Sequence, residues 1–165
     1  MRRTIVWLLA ASLAIGMAAG YGASAAELGY KALKKKAAFD DVEFELKNAI
    51  VNRGFVIDYT GHLGDMLSRT SKTVGSVTEL GSASPYLKAR YYHFCSAKLT
   101  HEVVSANPLN ISVCPYVVFL FELKSEPGVA HVGYRRPFAG PSKVTQKAVA
   151  KVDALLTAVI EEAAK

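Results

Sequence analysis

Cys95 and Cys114 are the two cysteines of the chain, and a predicted helix lies between them. Two cysteines in a chain that leaves the cytoplasm are typical of a structural disulfide. Such a bond would close a loop of about twenty residues, which the chain-entropy model values at roughly 3 kcal/mol. Because a sequence does not give the distance between two sulfur atoms, a pair of free or redox-active thiols is the alternative.

The same residues are also a candidate metal site. His93 and Cys95 lie on one side of a predicted strand, and with Cys114 they would supply three ligands for copper or zinc. The spacing is neither Cys-x-x-Cys nor Cys-x-x-Cys-His, so a thioredoxin-like site and an attached haem both lack their motif. We therefore predict no metal and no other cofactor, with copper, zinc or haem as the alternative.

Polar residues on a predicted hairpin form a second candidate site. His131 is expected opposite Glu122, where an ion pair is a simpler interpretation than a catalytic dyad. With His93 and Arg135 they are the candidate ligand-binding residues. The sequence contains no nucleophile motif, phosphate-binding loop, paired-carboxylate signature or cofactor fingerprint. We therefore predict no catalytic residues and do not expect an enzyme.

The N-terminus has the pattern of a secretory signal. Arg2 and Arg3 precede the apolar residues 5–19, and Ala23-Ser24-Ala25 forms a small-x-small cleavage site. We predict that residues 1–25 are removed, that the mature chain begins at Ala26, and that it is periplasmic or secreted. An uncleaved membrane anchor is the alternative, but the apolar run is short for a membrane span.

Charge and length narrow the possible functions. The formal net charge of +6 falls by two when Arg2 and Arg3 are removed, so the mature chain is mildly basic. The dense basic cluster Lys34-Lys35-Lys36 has no aromatic residues within it, which favours a solvated edge over a nucleic-acid surface. The remaining length fits an N-terminal segment, residues 26–38, followed by one domain, residues 39–165.

Hydrophobic spacing predicts the elements of the first half. A helix begins at an Asp40 cap, buries Val42, Leu46, Ala49 and Ile50, and ends at Gly54. Before it we expect either a frayed segment or a first strand at residues 36–39. After it come a strand at 55–60, a short helix at 61–71 that buries Leu63, Met66 and Leu67, and a loop at 72–85 long enough to act as a lid.

The second half begins with a strand at 89–95 and a helix that Ser96 caps and Asn107-Pro108 ends. An extended piece at 111–114 leads to strands at 116–124 and 129–135, joined by a turn at 125–128. A long helix runs from about Ser142 to the C-terminus. These elements predict an α+β sandwich, with helices on one face of a mostly antiparallel sheet of about four or five strands.

A turn at 125–128 sets the register of the hairpin. It pairs Phe121 with Val132, Phe119 with Tyr134 and Leu123 with Ala130 on a core face. The opposite face then pairs Glu122 with His131, Leu120 with Gly133 and Val118 with Arg135. Tyr116, Val118 and Leu120 would point away from the helices as an apolar surface that needs a cover. We predict a second subunit there, hence a homodimer that Leu120→Lys would split, with a small ligand or the loop at 72–85 as the alternatives.

Four short stretches resemble the domain-of-unknown-function-302 family: Phe94-Cys95-Ser96-Ala97, Ala106-Asn107-Pro108, Cys114-Pro115-Tyr116 and Gly133-Tyr134-Arg135-Arg136-Pro137. The resemblance spans residues 39–137. It departs from the family at Ser96-Ala97, where many members have an asparagine, and at Cys114-Pro115, where members often have Leu-Pro-Cys. The resemblance implies a small α+β fold that pairs into dimers, and it implies no activity.

The sequence therefore predicts an exported, non-enzymatic binding or interaction module with no nucleic-acid partner and no membrane attachment after signal cleavage. Its ligand is not identified by any motif. The alternative is a thiol-based redox protein, or one that handles a soft metal or haem, in which Cys95 and Cys114 do the chemistry.

Overall fold

A computed structural model describes residues 29–74 and 84–165. The predicted signal, residues 1–25, lies outside the described residues, as do residues 75–83 of the predicted loop. Among the helices of the two described ranges, none combines the length and apolarity needed to cross a membrane.

The described elements alternate between strands and helices as far as α3. In chain order they are β1 (Tyr30–Lys36), α1 (Phe39–Val51), β2 (Ile57–Gly61), α2 (Leu63–Val74), β3 (Tyr86–Phe94), α3 (Ala97–Ala106), a 3-10 helix (Pro108–Val113), β4 (Tyr116–Leu123), β5 (Glu126–Arg135) and α4 (Lys143–Ala163). The strands form one sheet in the order β1-β5-β4-β3-β2, and every neighbouring pair is antiparallel. This confirms the predicted α+β class with a long C-terminal helix.

The core lies between one face of the sheet and the helices α1, α3 and α4. Its fully buried side chains include Leu46 of α1, Val103 of α3, Val152 of α4, and Val118 and Leu120 of β4. Helix α2 is the exception, because it packs on the other face of the sheet. A Cβ at its Gly64 would lie 2.9 Å from the backbone nitrogen of Ala89, so the helix backbone approaches β3 closely there.

The start of the domain differs from the prediction in two details. Strand β1 ends at Lys36, so a first strand at 36–39 was wrong, and Phe39 already belongs to α1. The residue that caps α1 is Ala38, which has no side chain able to accept a hydrogen bond, instead of Asp40. The buried positions of α1 were predicted correctly, because the spacing of Val42, Leu46, Ala49 and Ile50 fixes one helical face.

Ser96 caps α3 as predicted, and its Oγ accepts a hydrogen bond from the backbone N–H of Leu99 at 3.3 Å. The extended piece predicted at 111–114 was wrong, since residues 108–113 form the 3-10 helix. The Asn107 side chain accepts from the N–H of Leu109 at 2.9 Å, and Pro108 stands at the first helical position. An Asn-Pro pair therefore ends one helix and begins the next.

The β4–β5 hairpin is one residue out of the predicted register. Phe121 pairs with His131 and not with Val132, and a slip of one residue moves every side chain to the other face. Tyr116, Val118 and Leu120, predicted to point away from the helices, are buried in the core at 2%, 0% and 0% exposure. The residues that alternate with them form the opposite surface.

The turn explains the slip. It consists of residues 124–125, and Leu123 already pairs with Glu126, so β5 begins three residues before the predicted start. Gly128, with a φ of 77°, lies inside the strand at an irregularity of the register. A Pro-Gly pair that resembles a turn in the sequence is thus a bulge within β5.

Candidate functional site

The candidate site is the open face, which we define as the face of the sheet opposite α1, α3 and α4. The strand registers place one residue from each strand in a single row across the open face. In sheet order from β2 to β1 the row reads Gly61, Tyr91, Phe119, Gly133 and Ala32. Tyr91 and Phe119 therefore have Gly61 on one side, and Gly133 and Ala32 on the other.

Both glycines make room for an aromatic ring. A Cβ built at Gly61 would lie 2.1 Å from Cζ of Tyr91, and one at Gly133 would lie 2.5 Å from Cζ of Phe119. Each ring thus lies over the glycine of the neighbouring strand, an arrangement in which the ring shields backbone that glycine leaves bare. The rings lie low on the sheet as a result.

The next row extends this aromatic surface. It contains Ala89, Phe121, His131 and Lys34. The rings of Phe121 and His131 stack with centroids 4.5 Å apart and an interplanar angle of 13°. Phe119 stacks on Phe121 at 6.1 Å and 22°. Phe119, Phe121 and His131 therefore form a continuous stack of three rings on the open face.

A cavity of about 580 Å³ lies above these rows. Its lining includes Tyr30, Ala32, Lys34, Leu63, Tyr86, Ala89, Tyr91, Phe119, Phe121 and His131. A volume of this size is within the range of small-molecule sites, and such sites are largely apolar with a few polar groups. We call this space the open-face cavity.

One end of the open-face cavity is polar. Glu126 accepts hydrogen bonds from Lys34 Nζ at 3.0 Å to each carboxylate oxygen, and its Oε2 is 2.9 Å from Nε2 of His131. The Lys34 bond, followed by the His131 bond, holds the pKa of Glu126 below its usual range. His131 is 8% exposed, so its ring is fixed between Phe121 and this carboxylate.

Helix α2 borders the other side of the cavity. Leu63 at its start is part of the cavity lining, and Gly64 packs on Ala89. The helix therefore stands as a ridge on the β3 half of the open face, while the half formed by β4, β5 and β1 is not covered by it. Met66, predicted to be buried, is 40% exposed on this ridge.

Three of the four candidate ligand-binding residues belong to the open face. His93 contacts Tyr59 and Tyr91 with ring centroids 5.2 and 5.4 Å apart, and the register places Arg135 on the same face as His131. Glu122 is not with them. It pairs with Ala130 and accepts from the N–H of Gly128 at 2.8 Å, so the predicted Glu122–His131 pair was wrong because of the register.

Cys95 and Cys114 form a disulfide, with Cα atoms 5.9 Å apart and a sequence separation of 19. The bond joins the end of β3 to the start of β4, and the peptide between Cys114 and Pro115 is cis. Their predicted proximity at neighbouring strand ends is confirmed. A metal site at His93, Cys95 and Cys114 would first require reduction, because both sulfurs are bonded to each other. In residues 29–74 and 84–165 no three His, Cys, Asp or Glu side chains are grouped to bind a metal.

A buried charge behind the sheet was missed by the sequence analysis. Glu43 of α1 is 6% exposed and accepts hydrogen bonds from Arg90, from Tyr92 at 2.8 Å and from Lys47 at 2.7 Å. Burial alone would raise the pKa of Glu43, but the bonds from Lys47, Tyr92 and Arg90 outweigh it and lower the pKa to about 2. One signal was available: Glu43 is on the apolar face of its helix and so needs partners.

The fold and the site together define a class of protein: a disulfide-bonded α+β sandwich with an aromatic open sheet face. The crystal structure of the uncharacterized conserved protein DUF302 from Bacillus stearothermophilus is similar to this chain, with a TM-score of 0.67. The match covers 84% of this chain and 99% of that chain at 13% sequence identity, and it establishes a DUF302-like fold. No family model and no curated protein matches this sequence.

Proposed function

We propose that this protein is an exported, non-enzymatic interaction module that binds an apolar partner on the open face. The observation that carries the proposal is the open-face cavity, whose floor consists of the flat-lying rings of Phe119 and Tyr91 and the stacked pair of Phe121 and His131. An apolar surface of this kind is costly to leave in water, at about 25 cal/mol per Å².

The polar end of the cavity supports a partner that is apolar with a polar margin. Lys34 and His131 each bond to Glu126, so the charges of Lys34 and Glu126 largely offset each other. A rim of this kind can orient a partner and does not require the partner to carry a strong charge. The Cys95–Cys114 disulfide supports export, because disulfides persist in oxidising compartments.

The fluorescent probe anilinonaphthalene sulfonate tests the proposal on dilute protein lacking residues 1–25. We expect the folded protein to bind the probe with enhanced fluorescence. Ala32→Trp should abolish most of this signal, because Ala32 is exposed and an indole there fills the cavity. Val56→Trp is the matched control, since it adds the same ring at a position that is 76% exposed and outside the cavity lining.

Equal probe binding by the two tryptophan variants would contradict the proposal, as would no binding by the unmodified protein. Circular dichroism melting of each variant shows whether its fold is retained. This control matters because partly unfolded proteins also bind the probe.

A further inference from the structure

We infer that the mature protein lies on the surface of an anionic phospholipid bilayer through one end of the domain. We call this end the tip, and define it as the 3-10 helix Pro108–Val113, the loop 136–142 and residues 143–147 at the start of α4. The inference goes beyond the proposed function, because the tip is a different surface from the open face. It gives the mature protein a peripheral membrane contact that the sequence analysis did not predict.

Large apolar side chains are exposed together on the tip. Phe138 is 86% exposed, Leu109 79%, Ile111 69% and Val144 66%. Single apolar side chains on a protein surface are common and need no explanation. Several on adjoining segments form a patch, and an exposed patch with a polar margin is typical of a contact surface.

The segments of the tip are held together by their own contacts. Asn110 of the 3-10 helix donates a hydrogen bond to Oγ1 of Thr145 in α4 at 3.3 Å. Phe138 of the loop and Val113 of the 3-10 helix line the same surface groove. Gln146 of α4 donates to a carbonyl oxygen of the loop at 3.0 Å. The exposed apolar side chains therefore belong to one continuous part of the surface.

The charges around the tip are positive. Residues 135–152 contain no Asp or Glu, and neither do residues 103–121, which include the 3-10 helix. Lys143 and Lys147 are exposed on either side of Val144 in the chain, and neither has an acidic partner within the described ranges. The basic residues of 135–152 are Arg135, Arg136, Lys143, Lys147 and Lys151.

This combination of groups fits the order of groups at a bilayer surface. Exposed apolar side chains enter the boundary between headgroups and acyl chains, while cations beside them meet the phosphates of anionic lipids. Apolar burial and charge attraction act together in such binding, and each is modest alone. We therefore expect reversible attachment to the surface.

The described chain also enters the domain at the tip. The backbone N–H of Arg136 donates to the carbonyl oxygen of Gly29 at 2.9 Å, and Gly29 lines a surface groove with Phe138. The apolar residues 5–19 of the predicted signal end ten residues before Gly29, a separation that spans at most about 35 Å. Before cleavage, the signal therefore delivers the domain to the membrane with the tip nearest to it.

Flotation with lipid vesicles tests the inference on disulfide-bonded protein lacking residues 1–25. We expect binding to vesicles of equal parts phosphatidylglycerol and phosphatidylcholine, and weaker binding to phosphatidylcholine alone. Phe138→Glu should lower the affinity for the anionic vesicles by about tenfold or more, because it removes an inserted ring and adds a negative charge. Phe44→Glu is the matched control, since Phe44 is 63% exposed on α1, outside the tip, and should leave the affinity unchanged.

The cations of the tip have their own variant. Replacing Lys143 and Lys147 together by alanine should lower the affinity for anionic vesicles by about tenfold. Replacing Lys36 and Lys124 together by alanine is the control, because it removes the same charge from exposed positions at the far end of the sheet. Equal affinities of the two double variants would overturn the role of charge in the inference.

A single tryptophan reports the geometry. The one tryptophan of the sequence, Trp7, lies within residues 1–25, so Phe138→Trp gives the mature chain a unique indole. We expect its emission to move to shorter wavelength when anionic vesicles are added, because the ring leaves water. Phe44→Trp should show no such shift.

Ala32→Glu separates this inference from the proposed function. It places a charge in the open-face cavity, so it should reduce binding of anilinonaphthalene sulfonate and leave vesicle affinity unchanged. Absence of binding to anionic vesicles would overturn the inference about the tip alone. So would vesicle binding that Ala32→Glu weakens and Phe138→Glu does not, or a Phe138→Trp emission that vesicles do not change.

Discussion

Phe119 and Gly133 are cross-strand partners, and the phenyl ring of Phe119 fills the space that a side chain on Gly133 would need. A Cβ at Gly133 would lie 2.5 Å from the ring and also 2.5 Å from the backbone oxygen of Lys31. The absence of a side chain at Gly133 therefore allows close contacts with both neighbouring strands, β4 and β1. It lets the ring lie low over β5 and lets β1 approach closely.

Gly133→Ala should destabilise the protein by about 1–3 kcal/mol, the usual cost of overpacking, because one of its two clashes is with backbone that cannot turn away. Urea unfolding measures the change. Gly29→Ala is the control, since a Cβ there meets nothing within 4 Å. An unchanged midpoint for Gly133→Ala would contradict the close approach of β1.

Gly61→Ala should cost less than Gly133→Ala. Its short contacts are all with the ring of Tyr91, which is the far end of a flexible side chain. The ring should swing away from β2, which changes its contact with His93. Nuclear magnetic resonance of the His93 ring protons reports that movement, and an unperturbed His93 would argue against the flat position of Tyr91.

Glu43 should make stability depend on pH between about 4.5 and 2. Its pKa in the folded protein is lowered from 4.5 to about 2, so its contribution is fully present above pH 4.5 and is lost as the pH falls toward 2. The loss should be about 3 kcal/mol. Urea midpoints at a series of pH values measure it.

Glu43→Gln should reduce the dependence of stability on pH between about 4.5 and 2. It should also lower stability at neutral pH, because Arg90 then loses its charged partner. Glu45→Gln is the matched control on an exposed position of the same helix. If both variants retain the same acid dependence as the unmodified protein, Glu43 is not its source.

Removal of the disulfide should lower stability by about 3 kcal/mol in the chain-entropy model. Cys95→Ser, Cys114→Ser and the double variant should lose similar amounts, because each removes the same bond. Thermal or urea unfolding measures this loss. Melting curves that do not change for the single variants would mean that the bond does not constrain the unfolded chain.

The same protein tests the thiol-based alternative. A thiol count under denaturing conditions, before and after exposure to a mild thiol, shows whether the Cys95–Cys114 bond is permanent. We expect no free thiols before or after. Ready reduction, or copper or zinc bound after reduction, would favour a redox or metal-handling role that uses His93 with the two cysteines.

Export gives a further prediction. The intact mass of protein recovered from outside the cytoplasm should correspond to a chain that begins at Ala26. A mass that retains residues 1–25 would indicate an uncleaved anchor instead. The predicted cleavage site lies outside the described residues, so this measurement is its test.

The sequence predicted the elements of the fold well because most of them have one apolar face. The periodicity of α1 and the Ser96 cap of α3 each allow a single arrangement. Strand β4 does not, since its residues YVVFLFEL are apolar on both faces. Because β4 lacks an alternation of apolar and polar residues, its sequence does not indicate which face packs against the helices. Only the turn can then fix the register.

The same ambiguity limited the candidate site. His93, Glu122, His131 and Arg135 were the candidate ligand-binding residues, and the structure places His93, His131 and Arg135 on one face. Glu122 was paired with His131 because the turn was predicted at 125–128, whereas it lies at 124–125. Leu120→Lys, expected to split a dimer, would instead bury a charge in the core, since Leu120 is 0% exposed. The rows of the open face depend on registers between distant strands, which no local pattern contains.

Strand β1 pairs with β5, and the register matches Tyr30 with Arg135. A chain that emerges with its N-terminus first must therefore keep this strand unpaired until almost the whole sheet sequence has followed. Contacts so distant along the chain are formed late in folding. Four lysines favour solubility of β1 while it is unpaired. We therefore expect the first strand of the chain to be the last to join the sheet.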